Sequence, residues 1–314
     1  MTSQVYIIIL NYKNWRDVVE CLDSILQLDY KDYKIFVVDN NSQNDSLQEM
    51  MKWIDLQSPI DGAKVSYQHY TAEQFSRQIN IENAEKISFI QNSHNNGFAA
   101  GNNLVLRQVA GKDAYVWLLN PDMVVSSSSL GELVKFAQIH PFKSIIGAIV
   151  KFYTDRERIH LYGGAKINFN SATVDPVITA KEVSRIDYIG GGSLFAHAAH
   201  FEQLGLLPED YFLYWEETDW CYNAKQNGYQ MLVCPEAVCY DKISTTIGKS
   251  YLAEYYYTRN GLMFVSRYRN KKLPVAIAVS FLRCLKKAVT GQWKRSRGVL
   301  GGIMNFLKRK NADQ

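Results

Sequence analysis

Residues 115–126, Tyr-Val-Trp-Leu-Leu-Asn-Pro-Asp-Met-Val-Val-Ser, constrain the fold more than any other stretch. The apolar run of residues 115–119 has the length and composition of a strand buried on both faces. It stops at Asn120-Pro121-Asp122, where proline cannot continue a central ladder. A carboxylate, Asp122, is thereby set at the carboxyl end of a core strand, the edge where open α/β sheets bind ligands. Asn-Pro-Asp is also good turn chemistry by itself. The stretch alone therefore supports either a turn or a site.

The segments before it repeat the pattern. Residues 5–10, Val-Tyr-Ile-Ile-Ile-Leu, read as a first buried strand. Trp15, Val18, Val19, Leu22, Ile25 and Leu26 then fall on one helical face, with Asn14 placed as N-cap. Residues 34–38 form a second β-rich run ending in Asp39-Asn40-Asn41-Ser42. Strand, helix, strand implies a parallel pair with a right-handed crossover, which leaves Tyr12 and Asp39 at the same edge. Asp39 either caps the next helix or accepts hydrogen bonds from a base or ribose. Residues 47–56 read as that helix, while 58–85 are polar and weakly periodic, an insertion or a lid. A third strand at 87–91 runs into a polar loop containing Asn96, Gly97 and Gly101, ahead of a helix near 102–109. The spacing is not G-x-G-x-x-G, so no dinucleotide fingerprint is present.

Downstream, residues 130–139 read as a helix stopped by His140-Pro141, and 145–150 as a strand. Residues 156–185 are mixed, with Gly163-Gly164 and Asp175-Pro176 marking loops. Gly190-Gly191-Gly192-Ser193 then places three glycines beside a strand, so backbone comes close to something there. Residues 211–220, Tyr-Phe-Leu-Tyr-Trp-Glu-Glu-Thr-Asp-Trp, lead into a helix ending at Gly228. Three acids in a first helical turn are favoured by the macrodipole alone. Alternatively, one is a general base whose pKa is raised by the aromatic wall before it.

Composition bounds the rest. A chain of 314 residues, 47% hydrophobic and 21% charged, suits one large α/β domain with an appendage, or two domains. Five cysteines without a C-x-x-C pair read as reduced packing residues of a cytosolic protein. The first apolar run is too short for a signal peptide, and residues 273–282 fall short of a membrane span. Charge is unevenly placed. Thirteen of the 35 Lys and Arg lie from Arg267 onward against one acid, Asp313, while the remainder holds 22 bases and 30 acids. Such a tail suits an anionic lipid surface or a nucleic acid, or merely solubilises. No recognition motif accompanies the charge, which argues against nucleic acid.

Taken in order, Asp39-Asn40-Asn41-Ser42, Asn96-Gly97-Phe98-Ala99, Asn120-Pro121-Asp122, Glu216-Glu217-Thr218-Asp219 and Tyr255-Tyr256-Tyr257-Thr258-Arg259-Asn260 carry a resemblance. The chain resembles glycosyltransferase family two, and more narrowly the rhamnosyltransferase-like branch that builds bacterial surface polysaccharides (O-antigen, capsule or cell wall). The likeness covers about residues 5–267.

It implies a GT-A fold, that is, a Rossmann-like, mainly parallel α/β sheet flanked by helices. Residues 1–266 would form this domain and 267–314 a basic amphipathic helical tail. It further implies a nucleotide-sugar donor, Mg²⁺ or Mn²⁺, and inversion at the anomeric carbon during hexosyl or rhamnosyl transfer to a lipid-linked or polysaccharide acceptor. By position, Leu10, Tyr12, Asp39, Asn41, Asn96, Gly97, Asn120 and Asp122 would hold the donor. Asp122 would bind the metal, and Asp241 stands where the family often has a histidine near it, although Cys239-Tyr240-Asp241-Lys242 also reads as a solvated loop. Gly191, Gly192, Ser193, Trp215 and Glu216 would line the sugar and acceptor cleft. Glu217 matches the family's catalytic base, usually aspartate, with one extra methylene. The tail would seat the enzyme peripherally on the inner face of the cytoplasmic membrane. The competing expectation is a non-catalytic nucleotide-sugar binding module that recruits partners to a membrane. Oligomeric state is not legible.

Overall fold

The computed structural model describes residues 3–57, 64–242 and 250–312. Its first half alternates strand and helix: β1 (Val5–Asn11), α1 (Trp15–Leu26), β2 (Tyr33–Asp39), α2 (Ser46–Asp55), β3 (Tyr67–Thr71), α3 (Ala72–Gln78), β4 (Ile87–Gln91), α4 (Phe98–Val109) and β5 (Tyr115–Leu119). β1 pairs in parallel with both β2 and β5, and β4 joins β2 to β3, again in parallel. The apolar runs are continuous because each strand is covered on both faces. In β1, Tyr6 and Ile8 enter one core while Val5, Ile7 and Ile9 enter the other. α1, α2 and the later α5 (Ser129–Ile139) supply the second core, whereas α3, α4 and α7 (Glu216–Gln226) supply the first.

The strands beyond β5 are β6 (Met123–Val125), β7 (Ser144–Phe152), β8 (Asp155–Tyr162), β9 (Gly164–Asn168), β10 (Thr173–Pro176), β11 (Tyr188–Ile189), β12 (Ser193–His197) and β13 (Gln230–Asp241). A short helix, α6 (Ala199–Gln203), comes after β12. The main sheet runs β3-β4-β2-β1-β5-β12-β7-β13-β6, with β8 on β7, and β10-β9-β11 form a second, small sheet. β12 is antiparallel to β5 and to β7, and β13 is parallel to β7. Two reversals restore the direction of β5, so β13 also ends at the edge where β1, β2, β4 and β5 end. β12 begins there, and that edge positions the site.

Several expectations are corrected. Residues 58–85 contain an edge strand and a helix, β3 and α3, with residues 58–63 outside the described set. β3 is largely exposed, so it lacks the apolar alternation that makes a strand visible in sequence. α4 starts at Phe98, four residues early, because Gly97 with φ +94° turns the chain directly into it. Residues 156–185 form β8 to β10, and Cys239-Tyr240-Asp241 is the end of a paired strand, not a solvated loop. Asn14 sits at the N-cap of α1 but makes no capping bond; its amide meets Asp17 instead.

The chain closes with α8 (Tyr251–Arg269), α9 (Leu273–Val289) and α10 (Trp293–Ala312). Leu262 and Val265 of α8 are buried with Leu273, Ala276 and Cys284 of α9 and with Val299, Ile303 and Phe306 of α10. Gly298 and Gly302 let α10 lie against α8: a Cβ at either would stand 2.4 Å and 2.6 Å from the carbonyl oxygens of Tyr251 and Tyr255. The apolar stripe of residues 299–307 is thus split, with one side seated on α8 while Leu300, Met304 and Leu307 stay exposed. No described helix is long and apolar enough to cross a membrane.

Candidate active site

Asp39, at the end of β2, is 2% exposed and is saturated by its own protein. Its carboxylate accepts from Asn11 Nδ2 (2.7 Å), Gln91 Nε2 (2.8 Å), the Ser42 backbone N–H (3.0 Å) and the Ser42 hydroxyl. It therefore ties the ends of β1, β2 and β4 together. It does not cap α2, whose N-cap is Asp45. Asn40 links the loops after β2 and β4 by donating to Asn95 Oδ1 (2.9 Å) and the Gly97 carbonyl (3.1 Å). Around this frame, Tyr12 and Asn41 are half-buried and Asn96 is exposed. Leu10 packs on α4, where a Cβ at Gly101 would meet its Cδ1 at 2.3 Å.

The Asn-Pro-Asp turn is as expected from sequence. Met123 N–H donates to the Asn120 carbonyl (3.2 Å), which closes it, and Asn120 N–H donates to the Gly192 carbonyl (3.1 Å). Asp122 is 7% exposed. Antiparallel pairing of β6 with β13 sets Asp241 opposite Met123, and Lys242 N–H donates to the Asp122 carbonyl (3.2 Å). Two carboxylate residues distant in sequence are thus neighbours. His160 of β8 lies beside one of them, its Nδ1 2.9 Å from Asp241 Oδ2. Sequence reasoning did not single out His160, since nothing in its strand sets it apart. Two carboxylates are a hard-oxygen donor set of the kind Mg²⁺ or Mn²⁺ takes when substrate phosphates and water complete the shell. Among the described residues no cluster of three His, Cys, Asp or Glu forms, so the fit is to a shared site and not to an all-protein cage.

The acids at the start of α7 have three different environments. Asp219 is structural: it accepts from Tyr211 (2.5 Å), Tyr268 (2.6 Å) and Arg267 Nη1 (2.5 Å), which pins α7 to α8. Glu216 is 1% exposed and its Oε1 has no hydrogen-bond partner. Burial first, and the neighbouring Glu217 second, push its carboxyl well above the usual carboxylate range. Of the three acids, Glu217 alone is not fully buried. Burial raises its pKa too, while backbone N–H groups of Glu217 itself, Gly191 and Thr218 favour the ionised form and pull it back.

Gly191 and Gly192 connect the two halves. A Cβ on Gly191 would stand 3.1 Å from Glu217 Cγ, and one on Gly192 would stand 2.6 Å from Met123 Cε and 3.8 Å from Asn120 Nδ2. One peptide therefore separates the carboxyl of α7 from the Asn-Pro-Asp turn. Ser193 does not line this cleft. It is buried, and its Oγ accepts from Trp117 Nε1 (2.9 Å).

The loop that delivers Glu216 and Glu217 is strained. Phe212, Tyr214 and Trp215 have φ of +69°, +66° and +81°, a region that side chains disfavour. Asn260 holds it: its Nδ2 donates to the carbonyls of Tyr211 (2.8 Å), Leu213 (2.7 Å) and Tyr214 (3.0 Å). Arg259 adds a bond to the Tyr211 carbonyl (2.5 Å). Buried Trp215 donates from Nε1 to the Tyr257 carbonyl (3.1 Å) and packs away from the cleft. The Tyr-rich Arg-Asn segment is thus a clamp, a role its sequence does not disclose.

A mainly parallel sheet with acids gathered at its carboxyl edge defines the GT-A class of glycosyltransferase folds, and known proteins agree with that assignment. The chain belongs to the family described as Glycosyltransferase like family 2, whose profile matches residues 3–259. It is 24% identical over 241 residues to the low-salt glycan biosynthesis hexosyltransferase Agl10 of Haloferax volcanii, a match spanning 74% of this chain and 66% of that protein, just under two thirds of its length. Among solved structures, the mannosyltransferase PcManGT of Pyrobaculum calidifontis, in complex with GDP-Man and Mn²⁺, aligns with TM-score 0.56 and 14% identity over 98% of this chain and 88% of that one. TarS of S. aureus in complex with UDP-GlcNAc aligns with TM-score 0.54 and 13% identity over 88% of this chain and 71% of that one.

Proposed function

We propose that this chain is an inverting, metal-dependent glycosyltransferase that moves a hexosyl or rhamnosyl unit from a nucleotide-sugar to a hydroxyl of a lipid-linked or polysaccharide acceptor in surface polysaccharide synthesis. The observation that carries this reading is the pairing of the half-buried carboxylate of Glu217 with the turn of Asp122 across the Gly191-Gly192 peptide. A module that only binds nucleotide-sugars has no need of that pair. Support for the donor class comes from neighbours solved with GDP-Man and UDP-GlcNAc, and for the metal from Mn²⁺ in one of them.

Glu217 accepts the proton of the acceptor hydroxyl as its oxygen bonds to the anomeric carbon, and the bond to the nucleoside diphosphate breaks on the opposite face. One displacement inverts the configuration. Asp122 and Asp241 would hold Mg²⁺ or Mn²⁺, and the ion would supply positive charge against that of the departing diphosphate. Asp39 acts by fixing the strand ends, and Tyr12, Asn41 and Asn96 around it offer the nucleoside its contacts.

The enzyme is further proposed to work on the anionic, inner face of the cytoplasmic membrane. Val275, Phe281, Leu282, Leu285 and Val289 of α9 are exposed, among the bases of the tail. Mixing donor, Mn²⁺ and candidate acceptors should release nucleoside diphosphate. Donor binding without release under any acceptor leaves the binding module as the correct reading.

A further inference from the structure

Beside the loop that precedes Glu216, α8, α9 and α10 line an open cavity of about 390 Å³. Arg283, Lys287 and Arg295 line it with Glu254, Tyr214 and Tyr257. Three cations face one carboxylate, an excess of two positive charges in a partly enclosed space. Glu254 is shared, with Lys287 Nζ 2.8 Å and Arg295 Nη2 2.6 Å from the same Oε1. Arg283 donates instead to a neutral group: its Nη2 meets the Thr258 hydroxyl (2.5 Å), and its plane lies over Tyr257. Its Nε is buried without a hydrogen-bond partner among the described residues. Arg283 as a whole is only half-buried, so part of its side chain stays open to the cavity.

We infer that this cavity is an anion subsite that takes the phosphate or diphosphate group of the acceptor. The inference rests on the transferase reading and deepens it, because it names the chemical class of acceptor. Two guanidinium forks and an ammonium match phosphate geometry, and an excess of two charges matches the charge of about −2 on a phosphate monoester or a diphosphate diester. A single carboxylate would leave the cavity under-neutralised. The place suits an acceptor. Tyr214 lines the cavity and directly precedes Trp215 and Glu216, and its phenol responds to Glu216, Glu254 and Glu217, after burial as the main cause of its raised pKa. Tyr214 thus ties the cavity, along the chain, to the loop that carries Glu216 and Glu217. The phosphate can belong to a lipid-linked diphosphate or to a phosphorylated glycan.

The test is calorimetric titration of the full chain with inorganic pyrophosphate, geranyl diphosphate and glycerol 3-phosphate in EDTA, which withholds the cation that the donor's diphosphate needs. Arg283→Gln and Lys287→Gln should each weaken binding by about tenfold or more. Lys286→Gln, an exposed base outside the cavity, and Asp122→Asn should leave it unchanged. Lys287→Gln serves where Arg283→Gln disturbs folding. Preference for geranyl diphosphate identifies a lipid source, and equal binding of pyrophosphate or glycerol 3-phosphate a glycan source. Equal losses in Lys286→Gln or Asp122→Asn, or no binding by any probe, overturn the subsite. Turnover whose acceptor KM ignores Arg283→Gln also overturns it while the transferase reading stands. Phosphate binding without any turnover does the reverse.

Discussion

The carboxyl of Glu217 rests on the α-carbon of Gly191, where an added Cβ would lie 3.1 Å from its Cγ, 3.2 Å from its Cδ and 3.3 Å from its Oε1. These distances are tighter than ordinary contact but not prohibitive, so Gly191→Ala should fold and displace the carboxyl by a few tenths of an ångström. Reacting groups held in attack geometry tolerate little displacement. We expect kcat to fall by about tenfold or more, with donor affinity and Tm nearly unchanged. A Tm loss of similar severity to the kcat loss would mean that the glycine serves packing alone.

Glu216 and Glu217 should separate cleanly. Glu217→Gln should keep donor binding and lose roughly 10²–10⁴-fold in turnover, the usual worth of a positioned base. Since its pKa is raised, chiefly by burial, wild-type kcat should climb with pH and level off above the ordinary glutamate range. Glu216→Gln should remain active. The folded state holds the Glu216 proton above the pH at which the unfolded chain releases it, so this residue costs stability as pH rises through that window. Glutamine removes the cost, so Tm should rise at neutral pH and the gain should vanish in acid. Loss of activity in Glu216→Gln, with Glu217→Gln active, would exchange the two roles.

Asp122→Asn should abolish Mn²⁺-dependent donor binding, measured by calorimetry, while leaving the fold intact. Asparagine keeps the shape of the turn but removes the carboxylate next to the β6–β13 pairing. Unchanged Mn²⁺-dependent affinity would place the metal elsewhere.

How much of this was legible depended on the range of each interaction. Runs such as residues 5–10 and 115–119 are visible because a strand covered on both faces must be apolar throughout. Asp39, Asp122 and Glu217 were visible because each follows a strand or opens a helix. Their partners were not. Asn11 beneath Asp39 follows from the register of β1 with β2, His160 beside Asp241 from β8 and β13 both pairing with β7, and Gly191 against Glu217 from the seating of α7. β3 was missed because an exposed edge has no periodic signal. The three acids of α7 looked alike in sequence, since only Tyr268 and Arg267, brought in by the packing of α8, make Asp219 structural.

The clamp on the loop before Glu216 and Glu217 gives a fourth prediction. Asn260 satisfies three carbonyls of a segment with three left-handed side-chain-bearing residues. Asn260→Ala should cost about 3 kcal/mol, from buried carbonyls left unpaired. Asn260→Asp, which cannot donate in its ionised form, should be no better. Because the strain then relaxes, kcat should fall further than the stability loss explains at temperatures well below Tm. A variant with full kcat would show that the loop holds its shape without the clamp.

The last prediction concerns the outward side of α9. Val275, Leu282, Leu285 and Val289 recur at helical spacing and are 48%, 63%, 59% and 88% exposed. A surface helix of a soluble protein normally shows the opposite pattern. Lys271 and Lys272 precede this face, Lys286 stands beside it, and Trp293 and Lys294 come next in α10. Apolar residues ringed by bases match an anionic leaflet, with each base near the surface contributing about 1 kcal/mol. Removing the tail is a poor test, because α9 and α10 share a core with Leu262 and Val265 of α8. Substitution of the exposed face is cleaner: Leu282→Gln with Leu285→Gln changes two mainly exposed side chains outside the core shared by α8, α9 and α10. The full chain should co-sediment with vesicles of mixed anionic and neutral lipid at low salt, and release should follow from high salt or from the double variant. Donor binding should survive in both. Full-length protein left in the supernatant at low salt would end the membrane reading, and a monomer formed only by the double variant would assign the face to a second copy of the chain.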